Sequence, residues 1–260
     1  MNWLAYREAA EAAAREAGKM LAQNAGRTHA VHHKGAIDVV TEMDKASEGL
    51  LVSALRASFP DAAVIAEEGS KIAGTGGTFI VDPLDGTTNY AHGHPQWCVS
   101  IGYERDGKVR AGVVFDPLRD ELFAASEGDG AFLNGRPIRV SKVATLNDAL
   151  VATGFPYDRR EKADYYMAFY KAAVVATQGV RRAGAAALDM AWVANGRHDA
   201  YFEQGIAAWD VAAGEILVRE AGGTVTDYAG GPHVLTGRKT LATNGLLHDE
   251  TVKLLASASP

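Results

Sequence analysis

The chain has 260 residues, 47% of them hydrophobic and 22% charged, a globular balance that allows one large core or two intimate halves. Its formal net charge of -6 speaks against nucleic acid as a main partner, because phosphate backbones attract basic faces. The single cysteine, Cys98, excludes an internal disulfide and fits a reducing, cytoplasmic setting, and no apolar run approaches the ~18 residues of a membrane span.

Residues 2–24 are alanine-rich with interspersed Glu and Arg and predict an amphipathic helix ending near Gly26. Without an uninterrupted apolar centre they do not read as a signal peptide. Residues 27–36 read as an extended or mobile segment, with His29, His32 and His33 as solvated loop residues; His92 and His94 carry the same reading. A short strand over 37–41 runs into Thr41-Glu42-Met43-Asp44, a Ser/Thr-x-x-acid spacing that starts a helix reaching about Ser58. Phe59-Pro60-Asp61 turns the chain into a strand at 62–66, which ends in Glu67-Glu68-Gly69, and Gly74-Thr75-Gly76-Gly77 is a loop. An apolar strand then leaves through Val81-Asp82-Pro83-Leu84-Asp85-Gly86-Thr87-Thr88-Asn89. Strands follow at 98–105, 109–116, 120–126 and near 130–133, with Asp106-Gly107 as a hairpin signal. Within them Cys98 reads as a core thiol and Ser100 as structural. Beyond 148 strands (149–153, 179–182, 199–203, 224–226, 240–243) alternate with helices (162–176, 185–195, 209–221, 246–256). This pattern predicts a mixed α/β layered architecture over a single domain, 1–260, softly divided near 145 into 1–145 and 146–260.

Four acidic sites share one feature: each lies at or just after the end of an apolar segment. They are Asp44, Glu67-Glu68, the Asp82/Asp85 pair and Asp210. Strand C-terminal ends are where crevices form in α/β sheets. If these ends meet, five or six carboxylates face one cavity, and their repulsion calls for cations, with Mg2+ as the natural oxygen-liganded partner. Taken singly, Asp44 and Asp210 read as first-turn helix residues and Glu67-Glu68 as a solvated strand end. Asp82-Pro83-Leu84-Asp85-Gly86-Thr87 is poor for a simple turn, and it also offers backbone N–H groups that open a helix toward an anion.

Glu67-Glu68, the run from Asp82 to Asn89, and Trp209-Asp210-Val211-Ala212-Ala213-Gly214 followed by Glu220-Ala221-Gly222-Gly223 resemble the inositol monophosphatase family, within the lithium-sensitive, magnesium-dependent phosphatases. Lys34 and Asp38-Val39-Val40-Thr41-Glu42-Met43-Asp44 fit the same pattern, and the match runs from the first helix to Asn244. Arg181-Arg182-Ala183-Gly184-Ala185-Ala186-Ala187-Leu188-Asp189 and Thr153-Gly154-Phe155-Pro156-Tyr157-Asp158 resemble its bacterial branch. The resemblance implies the layered αβαβα sandwich of the inositol monophosphatase and fructose-1,6-bisphosphatase type, usually a homodimer. It implies a hydrolase of small phosphate monoesters, inositol monophosphates or similar polyol phosphates. Two or three Mg2+ ions would serve it, with Mn2+ as a substitute and Ca2+ and Li+ as inhibitors.

Residue by residue, the resemblance implies a first ion on Glu67, Asp82 and the Leu84 carbonyl, a second on Asp82, Asp85 and Asp210, and a weaker third near Glu67. Thr87 and Asp44 match the pair that orients and deprotonates a cation-activated water, with Glu67 a competing base; no phosphoenzyme is implied. Gly86 and Thr87 would take the phosphate through their N–H groups. Asp85, Gly184, Ala186 and Glu203 match the substrate contacts, Glu203 accepting from adjacent hydroxyls. Lys34 matches a loop residue that helps close the site, and Trp209 would prop Asp210. Arg182 is open to two readings, a second anionic group of the substrate or a dimer interface. Related phosphatases on the same scaffold, acting on fructose 1,6-bisphosphate, histidinol phosphate, nucleotide 3′-phosphate or NADP, form the alternative, beside a non-catalytic regulatory role of the folded dimer. Ala208-Trp209-Asp210 and Glu203 favour the inositol branch over the nucleotide one, and Arg181-Arg182 keep fructose bisphosphate open.

Overall fold

A computed structural model describes residues 2–27, 31–33 and 39–258, with the backbone alone for 31–33. The expectations for His29, Lys34, Ile37 and Asp38 therefore lie outside the described residues. In chain order the first half runs α1 (Leu4–Asn24), β1 (Val31–His33), β2 (Val39–Thr41), α2 (Glu42–Ser58), β3 (Ala63–Ala66), β4 (Lys71–Ile72), β5 (Thr78–Asp85), α3 (Thr87–Ala91), β6 (Cys98–Arg105), β7 (Lys108–Asp116), β8 (Glu121–Ser126), β9 (Gly130–Leu133) and β10 (Arg136–Pro137). The second runs β11 (Leu150–Thr153), α4 (Ala163–Ala176), β12 (Gly179–Arg181), α5 (Ala186–Ala194), β13 (Ala200–Gln204), α6 (Ala208–Glu220), β14 (Thr224–Thr226), β15 (Lys239–Thr243) and α7 (His248–Ala258). The two-residue strands β4 and β10 and a single 3-10 turn at Leu146–Asp148 are additions that no sequence pattern marks.

Five layers result. An eight-stranded sheet in the order β10-β9-β8-β7-β6-β5-β3-β4 and a five-stranded sheet in the order β12-β11-β13-β15-β14 enclose α5 and α6. Helices α1 and α2 cover the outer face of the large sheet, and α4 and α7 pack together beside the small one. Amphipathicity sets each position. Helix α1 buries Ala10, Ala13, Ala14, Ala17, Gly18 and Leu21, a stripe at helical spacing whose small side chains let it lie close to the sheet. Helix α6 buries every residue from Val211 to Val218, as a helix with sheets on both sides must. Its approach is close: a Cβ added at Gly112 of β7 would lie 2.5 Å from Ile216 and 2.8 Å from Ala213. Overpacking there costs roughly 1–3 kcal/mol.

The pairing of β5 with β6 decides where the acidic motif points. Asp82 pairs with Ser100 and Asp85 with Cys98, so two residues on β5, Pro83 and Leu84, oppose the single Val99 on β6. That extra residue is a bulge, and Pro83, which has no N–H to donate, sits inside it. On a regular strand, positions three apart face opposite sides. The bulge cancels the alternation and turns both carboxylates to the α6 side. No helix among the described residues is long and apolar enough to cross a membrane.

Candidate active site

A cavity of about 750 Å3 opens where the C-terminal ends of β5, β11 and β13 meet the N-terminal ends of α5 and α6. Asp82, Asp85 and Asp210 each bring a carboxylate oxygen to within 4.8 Å of the others. Asp82 and Asp85 are buried and Asp210 half-buried. Each is aimed by a local hydrogen bond. Leu84 N–H donates to Asp82 Oδ1 at 3.0 Å, Ala187 N–H from the first turn of α5 donates to Asp85 Oδ2 at 2.7 Å, and Ala207 N–H donates to Asp210 Oδ2 at 2.7 Å. The last is half of a capping box, in which the third helical residue reaches back to the N-cap. Ser100 Oγ donates to Trp209 O at 3.2 Å and ties the first turn of α6 to β6. Ser100 and Trp209 thus hold Asp210 in place.

Burial is the main cause that pushes all three carboxyls upward. Asp82 rises well above the ordinary carboxylate range, with the charges of Glu67, Asp85 and Asp210 adding to burial. Asp85 rises likewise, through burial and then Asp210. Asp210 is pushed to about 7 by burial against the pull of the Ala207 N–H. Among the described residues no Lys or Arg forms an ion pair with any of the three. Three clustered carboxylates, two buried and one half-buried, with oxygen-only donors and no ion-paired Lys or Arg among the described residues, fit a hard divalent cation. Glu67 borders the same cavity, and its charge bears on both Asp82 and Asp85.

Behind the cluster lies a second constellation. Gly86 adopts φ +92° at the N-cap of α3, and a Cβ there would lie 2.9 Å from Gln96 O, so only glycine fits. This turn delivers Thr87, whose Oγ1 is 2.7 Å from Asp44 Oδ1 and 3.0 Å from Leu84 O. One hydroxyl proton serves one of these acceptors at a time. Asp44 Oδ2 accepts from Thr41 N–H at 2.8 Å and from Thr41 Oγ1 at 2.6 Å, the capping box expected at the start of α2. Ser47 Oγ donates to Pro83 O at 2.7 Å and fixes the bulge from the same helix.

Six carboxylates do line the cavity, but not the expected set: Glu67, Asp82, Asp85, Asp189, Glu203 and Asp210. Asp44 and Glu68 are not among the lining residues. Asp44 is buried and reaches the cavity through Thr87, while the Glu68 N–H donates to Glu48 Oε2 at 2.7 Å. Leu84, Gly86, Gly184 and Ala186 line the cavity wall. Glu203 accepts from Tyr201 Oη at 2.8 Å, and burial lifts it to about 7 against that bond and the Arg182 charge.

Sequence reasoning passes over three residues that shape the site. Buried Glu48 accepts from Glu68 N–H and from Ser70 N–H at 3.0 Å, bracing the turn that carries Glu67. Its spacing of one helical turn from Asp44 is the signal that would have found it. Asn89 Nδ2 donates to Gln96 O at 2.6 Å and Ala183 O at 2.9 Å, clamping the turn before α5 to α3. Asp189 is buried with Oδ1 lacking a hydrogen-bond partner, and a lone acid in an otherwise apolar helix is its signature.

The geometry has counterparts elsewhere. A model of the inositol monophosphatase family matches residues 3–259. The chain is 45% identical over 240 residues to a Pseudomonas aeruginosa protein named Nus factor SuhB, covering 89% of each chain. It is 43% identical over 259 residues to the inositol-1-monophosphatase of Synechocystis, covering 98% of this chain and 89% of the other. The solved structure of an inositol monophosphatase from Anabaena superposes with a TM-score of 0.90 at 44% identity, covering 100% of this chain and 98% of that one.

Proposed function

The chain belongs to the inositol monophosphatase family, and from that premise we propose that it is a magnesium-dependent phosphomonoesterase acting on inositol monophosphates or similar polyol phosphates. The observation that carries the reading is the triad Asp82, Asp85 and Asp210, with carboxylate oxygens within 4.8 Å of one another and no cationic partner among the described residues. In this reading Glu67, Asp82, the Leu84 carbonyl, Asp85 and Asp210 hold the cations. When bound, Mg2+ supplies Lewis acidity that neutralises phosphate charge and makes water easier to deprotonate near neutral pH.

The chain's own groups do the rest. Thr87 Oγ1, with its proton turned to Asp44 Oδ1, has lone pairs free to accept from an attacking water. Asp44 Oδ1 then takes the proton that Thr87 passes on, while Thr41 holds the other oxygen still. Glu67 is the competing base. In this reading the N–H groups of Gly86 and Thr87, both residues of the cavity wall, take the phosphate oxygens. Glu203 accepts from substrate hydroxyls, with Asp85, Gly184 and Ala186 beside it. No side-chain nucleophile is required, since Cys98 is buried and its thiol is held well above its ordinary value, first by burial. We assign 1–145 the metal and phosphate side and 146–260 the substrate side, in a cytoplasmic homodimer.

A phosphate-release panel tests the proposal. Inositol 1-phosphate should be hydrolysed with Mg2+ and not with EDTA, and millimolar Li+ should inhibit. Release from fructose 1,6-bisphosphate at tenfold higher kcat/KM than from inositol 1-phosphate would overturn the first choice, and so would the same preference for histidinol phosphate, nucleotide 3′-phosphate or NADP. The name of the Pseudomonas aeruginosa relative supports a second reading, a regulatory binding role of the folded protein. Asp85→Asn separates the two: a cellular phenotype that survives loss of phosphate release assigns the role to binding.

A further inference from the structure

The cavity wall holds one carboxyl to which the proposed mechanism gives no task. Asp189 sits in the first turn of α5, a helix otherwise built of Ala, Leu, Met, Trp and Val. It is only 1% exposed, yet it lines the cavity. Among the described residues nothing hydrogen-bonds to its Oδ1. A buried polar atom without a partner is costly, and more so on an ionisable group than on a neutral one. Its place in an apolar helix therefore calls for a partner that the folded chain does not itself supply.

His198 backs Asp189 without engaging it. Its Nδ1, also buried and without a hydrogen-bond partner, lies 4.0 Å from Asp189 Oδ1, beyond hydrogen-bond distance. Burial holds the His198 ring down at about 4, so the ring is neutral near pH 7 and forms no ion pair with the carboxyl. The ring packs edge-on against Trp192, with centroids 5.3 Å apart, and limits how far Asp189 can retreat from the cavity. The surrounding groups fix where on the wall Asp189 stands. After burial, the charges of Asp85 and Glu203 raise its carboxyl, and that of Arg182 draws it back. The same turn of α5 donates the Ala187 N–H to Asp85 Oδ2 at 2.7 Å. On the other side, the Asp189 charge bears on Tyr201, whose Oη donates to Glu203 Oε2 at 2.8 Å. Asp189 thus stands between Asp85 on the cation side and Glu203 on the hydroxyl side, and it does not belong to the cluster of Asp82, Asp85 and Asp210. A polyol ring that reaches from the cations to Glu203 passes it.

Resting on the polyol phosphatase reading above, we infer that Asp189 is a second hydroxyl reader, a specificity-determining residue that hydrogen-bonds a ring hydroxyl of the substrate other than those held by Glu203. A hydroxyl both donates and accepts, so either form of the Asp189 carboxyl can hold it. Two carboxyls on different elements, α5 and β13, then read two positions of one ring. A site built in this way favours polyhydroxylated ring phosphates over alkyl phosphates of the same shape, because an analogue without the hydroxyl leaves a buried polar group unpaired.

A selectivity ratio tests this. Phosphate release with Mg2+ is measured on inositol 1-phosphate and on cyclohexyl phosphate, which keeps the carbocycle and has no free hydroxyl on it. The wild type should show the higher kcat/KM on inositol 1-phosphate. Asp189→Ala should reduce that preference by about 10–100-fold, the loss of one hydrogen bond to an ionisable group. Asp189→Asn, which still offers a donor and an acceptor, should retain most of it. Asp189→Leu, suited to the apolar surroundings of α5, takes the place of the alanine variant if that folds poorly. An unchanged preference in the alanine or leucine variant overturns the assignment. So does an equal loss on both esters, which would give Asp189 a structural or cation-linked task. The two readings fail separately. If the wild type cleaves both esters without preference, hydroxyl reading falls and the phosphatase stands; if it cleaves neither, both fall.

Discussion

Replacing Asp82 by Asn should stabilise the metal-free protein while abolishing its function. The Asp82 carboxylate is buried, within 4.8 Å of those of Asp85 and Asp210. At an effective dielectric constant of ~20, two unit charges at that separation repel by about 3 kcal/mol. Partial protonation already relieves most of this, as the upward shifts of all three groups indicate, which leaves roughly 1–2 kcal/mol to gain. Asparagine keeps an oxygen for the Leu84 N–H, so the bulge survives the change. At ~2–4 °C per kcal/mol for a chain of this size, the metal-free variant should melt about 2–8 °C above wild type. Wild-type protein at a Mg2+ concentration 100 times its Kd gains about 2.7 kcal/mol, hence roughly 5–10 °C, and the variant should lose most of that gain. Its kcat should fall by about 10³-fold or more, since a ligand shared between cations is gone. Differential scanning fluorimetry with EDTA or Mg2+, alongside phosphate release, reads all three. A lower metal-free Tm, a wild-type Mg2+ response, or more than about a tenth of the wild-type rate would refute the reasoning.

Thr87→Val removes the hydroxyl between the cavity and Asp44; kcat should drop by about 10²–10³-fold with the Mg2+ thermal shift intact, and loss of that shift would mean that Thr87 supports cation binding instead. Glu203 has its folded pKa raised from 4.5 to about 7 by burial, so the ionised acceptor predominates only above that value. The KM for inositol 1-phosphate should therefore fall as pH rises from 6 to 8, and Glu203→Gln should flatten that limb. By linkage, the stability that Glu203 contributes is complete below pH 4.5 and is lost as pH rises through 7, so the variant should also reduce the metal-free decline in Tm over that window. Gly154→Ala would place a Cβ 2.0 Å from Glu203 Oε2; displacement of that carboxylate should raise KM by about tenfold with a smaller change in kcat, and an unchanged KM would remove Glu203 from substrate recognition.

Much of the site was legible in the chain because its signals are local. Thr41 and Asp44 announce the start of α2 by their spacing, and the capping box forms as written. The motif from Asp82 to Thr87 marks an unusual strand end, and it does carry two of the three clustered carboxylates. The membership of the acidic wall was less legible. Asp44 and Glu68 share the strand-end pattern but do not line the cavity, whereas Asp189, hidden in an alanine-rich helix, does. Whether an acid faces a cavity depends on which element packs against it, and no local pattern records that.

Sequence alone determined most of the helices and longer strands, the capped start of α2, and the presence of acidic residues at the ends of apolar segments. These follow from periodicity, capping and charge, all properties of neighbouring residues. Tertiary structure decided that Asp82 and Asp85 share one face. Their spacing on a regular strand would set them on opposite sides, and only the register against Ser100 and Cys98 inserts the bulge that reunites them. It also brought Asp210 to the pair, more than a hundred residues later, by seating α6 on β6 and β7 through contacts of Ala212, Ala213 and Ile216 with Gly102 and Gly112. Distant pairing depends on the packing of whole layers, and that is set by the fold and not by any one stretch of chain.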